Sequence, residues 1–363
     1  MGGSSTGETT LLPLAFAELD GWSRDNHAAA FAAFRAGAEA AALHPPKARA
    51  LGTDAAALSE VLASAGTMPR SLSPDRARAF FEAEFQPFEI VPAVGSPFFT
   101  GYYEPEVAGS LTRTAEFPTP LYRPPPDLVE VGPGEAPQLD SMFRFALRTA
   151  TGYSEHPDRA AIMNGALAGR DLELAWVADP VDAFFIHVQG AARIRLREGG
   201  TMRVTYAAKS GHPYTPIGRV LVEMGALSRD EATMQGIRAW LATHPAEADA
   251  VMARNRSYIF FREAPVADGS LGPIAAAKVP LTPMRSLAVD RLLHSFHSPI
   301  WVETTLPDGM PFRHLTVAHD TGSAIVGPAR GDIFFGSGDE AGEIAGAMRT
   351  SGRFVLLKPK GGG

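Results

Sequence analysis

Apolar residues recur at helical spacing over residues 14–95 and then give way to short apolar runs punctuated by glycine and proline. The first texture predicts helices. Ser23 is placed to cap one that passes through His27, Phe31 and Phe34 to Leu43, since a serine hydroxyl accepts an orphan amide of the first turn. His44-Pro45-Pro46 stops it, because a residue before proline avoids helical backbone. Leu51 to Leu62 forms a second apolar set, and Ser73-Pro74 opens a third helix that carries Phe80, Phe81 and Phe85 as far as Gln86-Pro87.

From Phe88 the short runs predict strands, so the chain reads as mainly β with helical decoration. Glu104-Pro105 favours extended backbone and marks a boundary. Leu121 to Pro126 is a stiff connector, and residues 127–140 read as irregular. Val181 to Gly190 reads as a strand ending in a polar tip. Arg193, Arg195 and Arg197 then alternate with apolar residues, which places three guanidiniums on one strand face, to grip carboxylates or to face solvent. Val204 to Ala207 and Tyr258 to Phe261 are further strands. Short helices are predicted for Asp158 to Leu167, Ile217 to Met224, Ser228 to Thr243 and Asp249 to Arg254, with Ser228 and Glu231 forming a capping box.

Length changes this picture by implying more than one core, because 363 residues exceed the usual single-domain size. Charge narrows the partners: 33 Lys and Arg against 40 Asp and Glu argue against nucleic-acid binding, which needs a basic face to displace phosphate counterions. The absence of cysteine excludes disulfides and thiolate metal sites. No apolar run is long enough to cross a bilayer, and MGGSSTGETTLLPLAF shows no basic segment followed by an apolar one, so no signal peptide is read there.

Candidate chemistry gathers between Ala318 and Gly338, AHDTGSAIVGPARGDIFFGSG, where Asp320 and Asp332 stand among five glycines. Turn formation alone could account for both aspartates. Asp320-Thr321-Gly322-Ser323 also matches the aspartic-protease signature, but without a second copy the partner carboxylate would have to come from a homodimer. His314 and His319 match no zinc spacing, and neither a phosphate-binding loop nor a serine nucleophile elbow is present, so no metal or cofactor is expected. Asp332 suits glycosidic cleavage. An acid that protonates a leaving sugar oxygen must hold its proton near neutral pH, which requires removal from water, and Ile333, Phe334 and Phe335 supply the apolar surroundings. Arg330 lies on the same strand face; direct contact would lower the acid's pKa, so it is expected to bind another group. Upstream, Phe98 to Glu104 clusters aromatics beside a carboxylate, either to pack on sugar faces or as a buried strand.

The run around these aspartates, with MRSLAVDRLLHSFHSPIWVET before it and GRFVLLKPK after it, resembles the three-aspartate domain of MltA-type lytic murein transglycosylases. GYYEPEVAGS, FPTPLYRPP, HVQGAARIRL, AAKSGHPYTPIGRVL and SYIFFRE resemble that family's inserted domain. The resemblance implies a double-psi β-barrel built from both chain ends, residues 1–103 and 265–363. A smaller β-barrel-like domain, residues 104–264, would be inserted between them and form the other wall of a groove. It implies an exo-acting lytic transglycosylase that cleaves the β-1,4 bond between N-acetylmuramic acid and N-acetylglucosamine in peptidoglycan and leaves a 1,6-anhydromuramoyl end. Asp332 would be the catalytic acid, with Asp320 and Asp290 in support. Thr100, Tyr102 and Tyr103 on one side, Gln189, Lys209 and Ser210 on the other, and Thr321, Gly322 and Gly336 beside the aspartates are the candidate sugar contacts. A monomer acting on glycan strands in the periplasm, associated with the outer membrane and with partners in wall synthesis or division, is implied as well. A hydrolytic muramidase using Asp320 or Asp290 as second carboxylate, and a non-catalytic murein-binding module, remain alternatives on the same scaffold.

Overall fold

The computed structural model describes residues 9–132, 134–139, 143–265 and 268–361, so the start of MGGSSTGETTLLPLAF and part of the stretch 127–140 lie outside the described residues. Its backbone contacts form two units. One comprises residues up to Tyr103 with Gly269–Gly336 and Glu340 onward; the other comprises Glu104–Asp268 with Ser337–Asp339.

The first unit is organised by a nine-stranded sheet. Its strands run in the spatial order Thr10–Pro13, Phe85–Val91, Arg353–Pro359, Pro299–Thr305, Pro311–Asp320, Ser286–Ala288, Arg330–Ser337, Phe98–Glu104 and Arg349–Ser351. Every pairing whose direction is known here is antiparallel except that of Ser286–Ala288 with Pro311–Asp320. Three helices, His27–Leu43, Ala55–Thr67 and Pro74–Glu84, cover one region of it. They form because each apolar set has a cap: Asn26 accepts the Ala29 amide, Asp54 accepts Ala56 and Ala57, and Ser73 accepts Arg76 ahead of Pro74. Asn26 therefore caps the first helix instead of Ser23, which sits in a preceding 3-10 turn. Phe31 packs edge to face on Phe80, and Phe34 does so on Phe81 and Phe85; these rings bury with Trp301, Val317 and Leu357 of the sheet in one core.

A buried ion cluster ties the start of the chain to this sheet. Asp25 accepts two bonds from the Arg285 guanidinium, both at 2.8 Å, and one each from the Leu315 amide and His314 Nδ1, also at 2.8 Å. Burial alone would raise its pKa, yet the His314 and Arg285 hydrogen bonds and the Arg285 charge hold the carboxyl well below the usual range.

The second unit carries a six-stranded sheet in the order Ile259–Ala264, Thr201–Lys209, Ala191–Leu196, Glu106–Ser110, Glu173–Val177 and Thr119–Tyr122. Three sequence expectations are corrected here. The stretch from Val181 forms a helix, Pro180–Gln189, with Asp179 accepting the Val181 amide, Pro180 at the first helical position and Gly190 closing it at φ +79°. The apolar run Phe184-Phe185-Ile186 fits helix burial as well as strand burial, so the caps decide. Residues 127–140 are likewise not wholly irregular, since Leu128–Glu130 pairs with Phe145–Thr149 in a three-stranded sheet. The Ser228 and Glu231 capping bonds do form, but they close a turn; the helix itself is Met234–Thr243, capped by Thr233.

Of the three alternating arginines, Arg193 grips Glu104 at 2.8 Å and Arg195 faces Glu106 at 3.3 Å, while Arg197 follows the end of the strand. Arg203, the cross-strand partner of Arg193, also binds Glu104, at 2.7 Å. Two facing cations thereby share one fully buried carboxylate, which also accepts Ser337 Oγ at 2.7 Å.

Replacing Asp25 by Ala leaves the Arg285 guanidinium buried without its counter-charge, an imbalance that typically costs about 3–5 kcal/mol. Urea denaturation followed by far-UV circular dichroism should show an unfolding free energy reduced by that amount, with a correspondingly lower midpoint; an unchanged midpoint would mean that the cluster does not hold the amino-terminal segment.

Candidate active site

Strand register brings the two candidate carboxylates into one neighbourhood. Ser286–Ala288 lies between Pro311–Asp320 and Arg330–Ser337, and Ala288 is the pairing partner of Asp320 on one side and of Asp332 on the other. Adjacent strands lie about 4.8 Å apart, so the two aspartate backbones stand about 10 Å from each other with only a methyl side chain between them. A one-residue irregularity at Leu287 and Ala288 is what turns Asp320, rather than His319, into register.

Asp332 is partly buried. Thr100 donates its hydroxyl to Asp332 Oδ1 in a short hydrogen bond, and Arg330 Nη2 donates to the same hydroxyl at 2.6 Å. Among the described residues Arg330 makes no ion pair with Asp332, in keeping with the expectation that it binds another group. Removal from water raises the Asp332 pKa; the nearby Arg330 charge and the Thr100 bond oppose this and are outweighed. Asp320 accepts the Tyr102 hydroxyl at 3.3 Å and the Ala276 amide at 3.2 Å. Its pKa is pushed up to about 6, chiefly by burial, against the lowering effect of those bonds and with a smaller contribution from Asp332. The Tyr102 ring rests on Phe334, 5.2 Å between centroids, so the residue after Ile333 on the acid's strand also seats the phenol that serves the second carboxyl.

Asp290 lies apart from direct contact with either carboxyl. It accepts the Leu292 amide and the Gly327 amide, both at 2.9 Å, and thus fastens the loop that joins the Asp320 and Asp332 strands. Gly327 has φ +118°, a conformation that disfavours any side chain at that fastening point. Thr321 and Gly322 open the same loop, and Gly336, at φ +118°, ends the acid's strand. Tyr103 is 7% exposed and its ring lies against Gly342, so it is a core residue and offers a sugar no open ring face. Ser210 is fully buried, its hydroxyl accepting the Tyr258 amide at 3.1 Å, which assigns it to structure and not to ligand contact. Gln189 ends the helix Pro180–Gln189, Lys209 ends the strand Thr201–Lys209, and both belong to the second unit.

The histidines near Asp320 go separate ways. His314 binds Asp25, and His319 Nδ1 meets Ser286 Oγ at 2.8 Å in the core, where burial pushes its pKa well down. No group of three potential metal-binding side chains occurs among the described residues. Sequence reading missed that Thr100 stands between Arg330 and Asp332 and that Glu104 collects two arginines. Both depend on pairings between distant strands that no local spacing announces.

The site therefore defines a class: a pair of carboxyls two strands apart, both with pKa values raised by desolvation, one bonded by a threonine hydroxyl and the other by an aromatic hydroxyl. The MltA specific insert domain matches residues 98–262, and the 3D domain matches residues 285–358. A crystal structure of a membrane-bound lytic murein transglycosylase from Agrobacterium tumefaciens superposes with a TM-score of 0.89 at 46% identity, covering 97% of this chain and 98% of that one. Membrane-bound lytic murein transglycosylase A of Escherichia coli is 33% identical over 273 residues, 73% of this chain and 66% of its own length. The E. coli MltA structure with bound chitohexaose gives a TM-score of 0.62 at 30% identity over 84% of this chain and 82% of that one. The chain belongs to the MltA family of membrane-bound lytic murein transglycosylases. That membership displaces the homodimeric aspartic-protease reading of Asp320-Thr321-Gly322-Ser323.

A carboxyl whose pKa rises from 3.8 to about 6 on folding favours the folded state fully below pH 3.8, and that contribution is lost as pH rises through about 6. Asp320→Asn should therefore raise thermal stability at pH 8 by on the order of 2 kcal/mol while leaving it unchanged near pH 3.5. Melting curves at the two pH values check this; an equal shift at both would remove ionisation as the cause.

Proposed function

We propose that this protein cleaves the β-1,4 bond between N-acetylmuramic acid and N-acetylglucosamine of peptidoglycan without water, leaving a 1,6-anhydromuramoyl end. The observation that carries this reading is the state of Asp332, a carboxyl with a raised pKa, a hydroxyl donor on one oxygen and no direct cation. Family membership and the chitohexaose held by the E. coli relative support a glycan in this role.

In the first step Asp332 gives its proton to the glycosidic oxygen, the bond from the muramoyl anomeric carbon to that oxygen breaks, and the N-acetylglucosamine hydroxyl leaves. Positive charge develops on the muramoyl ring. The muramoyl 6-hydroxyl then bonds to the anomeric carbon, and its proton passes to the Asp332 carboxylate, which restores the enzyme. The nucleophile is already part of the substrate, so proximity replaces activation of a water. Asp320, ionised above about pH 6 and held by Tyr102 and Ala276, supplies negative charge near that ring and keeps the Tyr102 hydroxyl in place. Asp290 acts at one remove, through the loop it fastens at Gly327. Thr321, Gly322 and Gly336 are the remaining candidates for sugar contact in this unit.

The same reading extends to the architecture. Six strands of the large sheet, from Pro299–Thr305 round to Arg349–Ser351, close as a double-psi barrel. Support comes from Thr304 Oγ1, on the first of these strands, which lies 2.8 Å from Thr350 Oγ1 and donates to the Ser351 carbonyl at 2.7 Å on the last. The reading places the enzyme in the periplasm, where that substrate lies, and takes it to act as a monomer. No helix among the described residues is long and apolar enough to cross a membrane.

Asp332→Asn should lower release of muropeptides from purified sacculi by about a hundredfold or more, the usual worth of a positioned acid, with circular dichroism unchanged. Mass spectrometry of the wild-type products should show anhydromuramoyl ends with no oxygen from labelled water. Reducing ends carrying the label would establish the hydrolytic muramidase instead, and an inactive wild type that still binds glycan would establish the binding module.

A further inference from the structure

Arg330 precedes Asp332 by two residues on one strand and so shares its face. Its guanidinium lies 5.3 Å from the centre of the Phe98 ring, donates through Nη1 to the Gly331 carbonyl, and donates through Nη2 to Thr100 Oγ1. A guanidinium has no acceptor, so Thr100 must receive this bond on a lone pair. The hydroxyl has a single proton, and that proton goes to Asp332 Oδ1. With Oδ1 committed as acceptor, a neutral Asp332 carries its own proton on Oδ2.

We infer that Arg330, acting through Thr100, is a positioning residue that keeps the transferable proton of Asp332 on Oδ2. This rests on Asp332 being the acid. Without the guanidinium the Thr100 hydroxyl is free to turn and accept a proton from Oδ1, which would bury the acid's proton in a bond to the protein itself. Arg330 also stands one hydroxyl away from the carboxyl. At that remove it aligns the donor and favours the carboxylate formed after proton transfer, without the contact that would strip the proton beforehand. Sequence alone cast this arginine as a threat to the acid; the interposed hydroxyl makes it a director of the proton.

The test compares Arg330→Met, Thr100→Val, the double variant and Thr100→Ser on purified sacculi, with folding followed by circular dichroism. Each of the first two should lower kcat at least about tenfold, a part of the usual worth of general acid catalysis, while KM stays within about twofold. The double variant should be no slower than the slower single one, because both break the same chain of bonds, and Thr100→Ser should recover the rate. Facing Asp332 are the Arg330 charge and the Thr100 hydroxyl, with Asp320 and the Tyr102 phenol nearby. Removing either of the first two removes something that favours the carboxylate, so the alkaline limb of the kcat profile should move to higher pH in both variants. Additive losses, an unmoved limb, a change in KM alone, or Thr100→Ser as slow as Thr100→Val would each overturn the inference. Asp332→Asn separates the two levels. If it is inactive while the Arg330 and Thr100 variants behave as wild type, only the positioning role fails; if it is active, the acid assignment fails and the positioning role with it.

Discussion

The structure around Asp332 depends on a contest between desolvation and charge. A carboxyl taken from water loses the hydration of its ionised form and keeps its proton, whereas a cation in contact restores the ionised form. Here an arginine sits on the same strand face, and the outcome turns on what lies between. Thr100 takes the guanidinium's bond and offers the carboxyl a neutral hydroxyl donor in its place, so burial prevails and the pKa stays raised. Asp320 reaches a similar state by other means, with backbone and phenol donors that stabilise its charge without a cation, and settles at about 6.

Two other carboxylates show what the same residue type does when cations touch it. Asp25 receives both arms of Arg285 and is held ionised, and Glu104 receives Arg193 and Arg203 in full burial. Each is a structural anchor. One fastens the segment before the first helix to the strand Pro311–Asp320; the other joins facing strands of the six-stranded sheet to the first residue after the chain leaves its larger unit. Removing one partner of such a group leaves an uncompensated charge, which makes these anchors strong against breakage whatever their net stabilisation. Asp332 and Asp320 differ from them by the absence of direct guanidinium contact.

Much of this was legible in the chain. Ser73-Pro74, the aromatic positions of the first helices and the glycine-spaced aspartates carry local chemistry, and local chemistry can be read without coordinates. Val181 to Gly190 failed because a short apolar run suits a buried helix face as well as a strand, and the deciding signals, Asp179-Pro180 before it and Gly190 after it, were weighed less than its texture. Tyr103 and Ser210 failed for another reason. Their motif positions suggested ligand contact, but burial against Gly342 and a bond to the Tyr258 amide are properties of distant pairings. The Thr100 hydroxyl belongs to the same kind: 232 residues separate it from Asp332, and nothing within either motif gives the pairing.

Close packing explains how a strand that bears an acid can also exclude water. Phe334 and Phe335 point to opposite faces of Arg330–Ser337, and each presses on a glycine. A methyl group at Gly272 would stand 2.4 Å from the Phe334 ring, and one at Gly101 2.6 Å from Phe335. Any side chain at either position would push the ring away or shift the backbone. The Phe334 ring in turn carries Tyr102, whose hydroxyl serves Asp320, and Gly101 lies between Thr100 and Tyr102 on the strand that serves both carboxyls. The glycines are thus tied to the carboxyls by packing: they let two aromatic rings close on the strand, and close packing of this kind leaves little room for water beside carboxyls whose pKa burial raises.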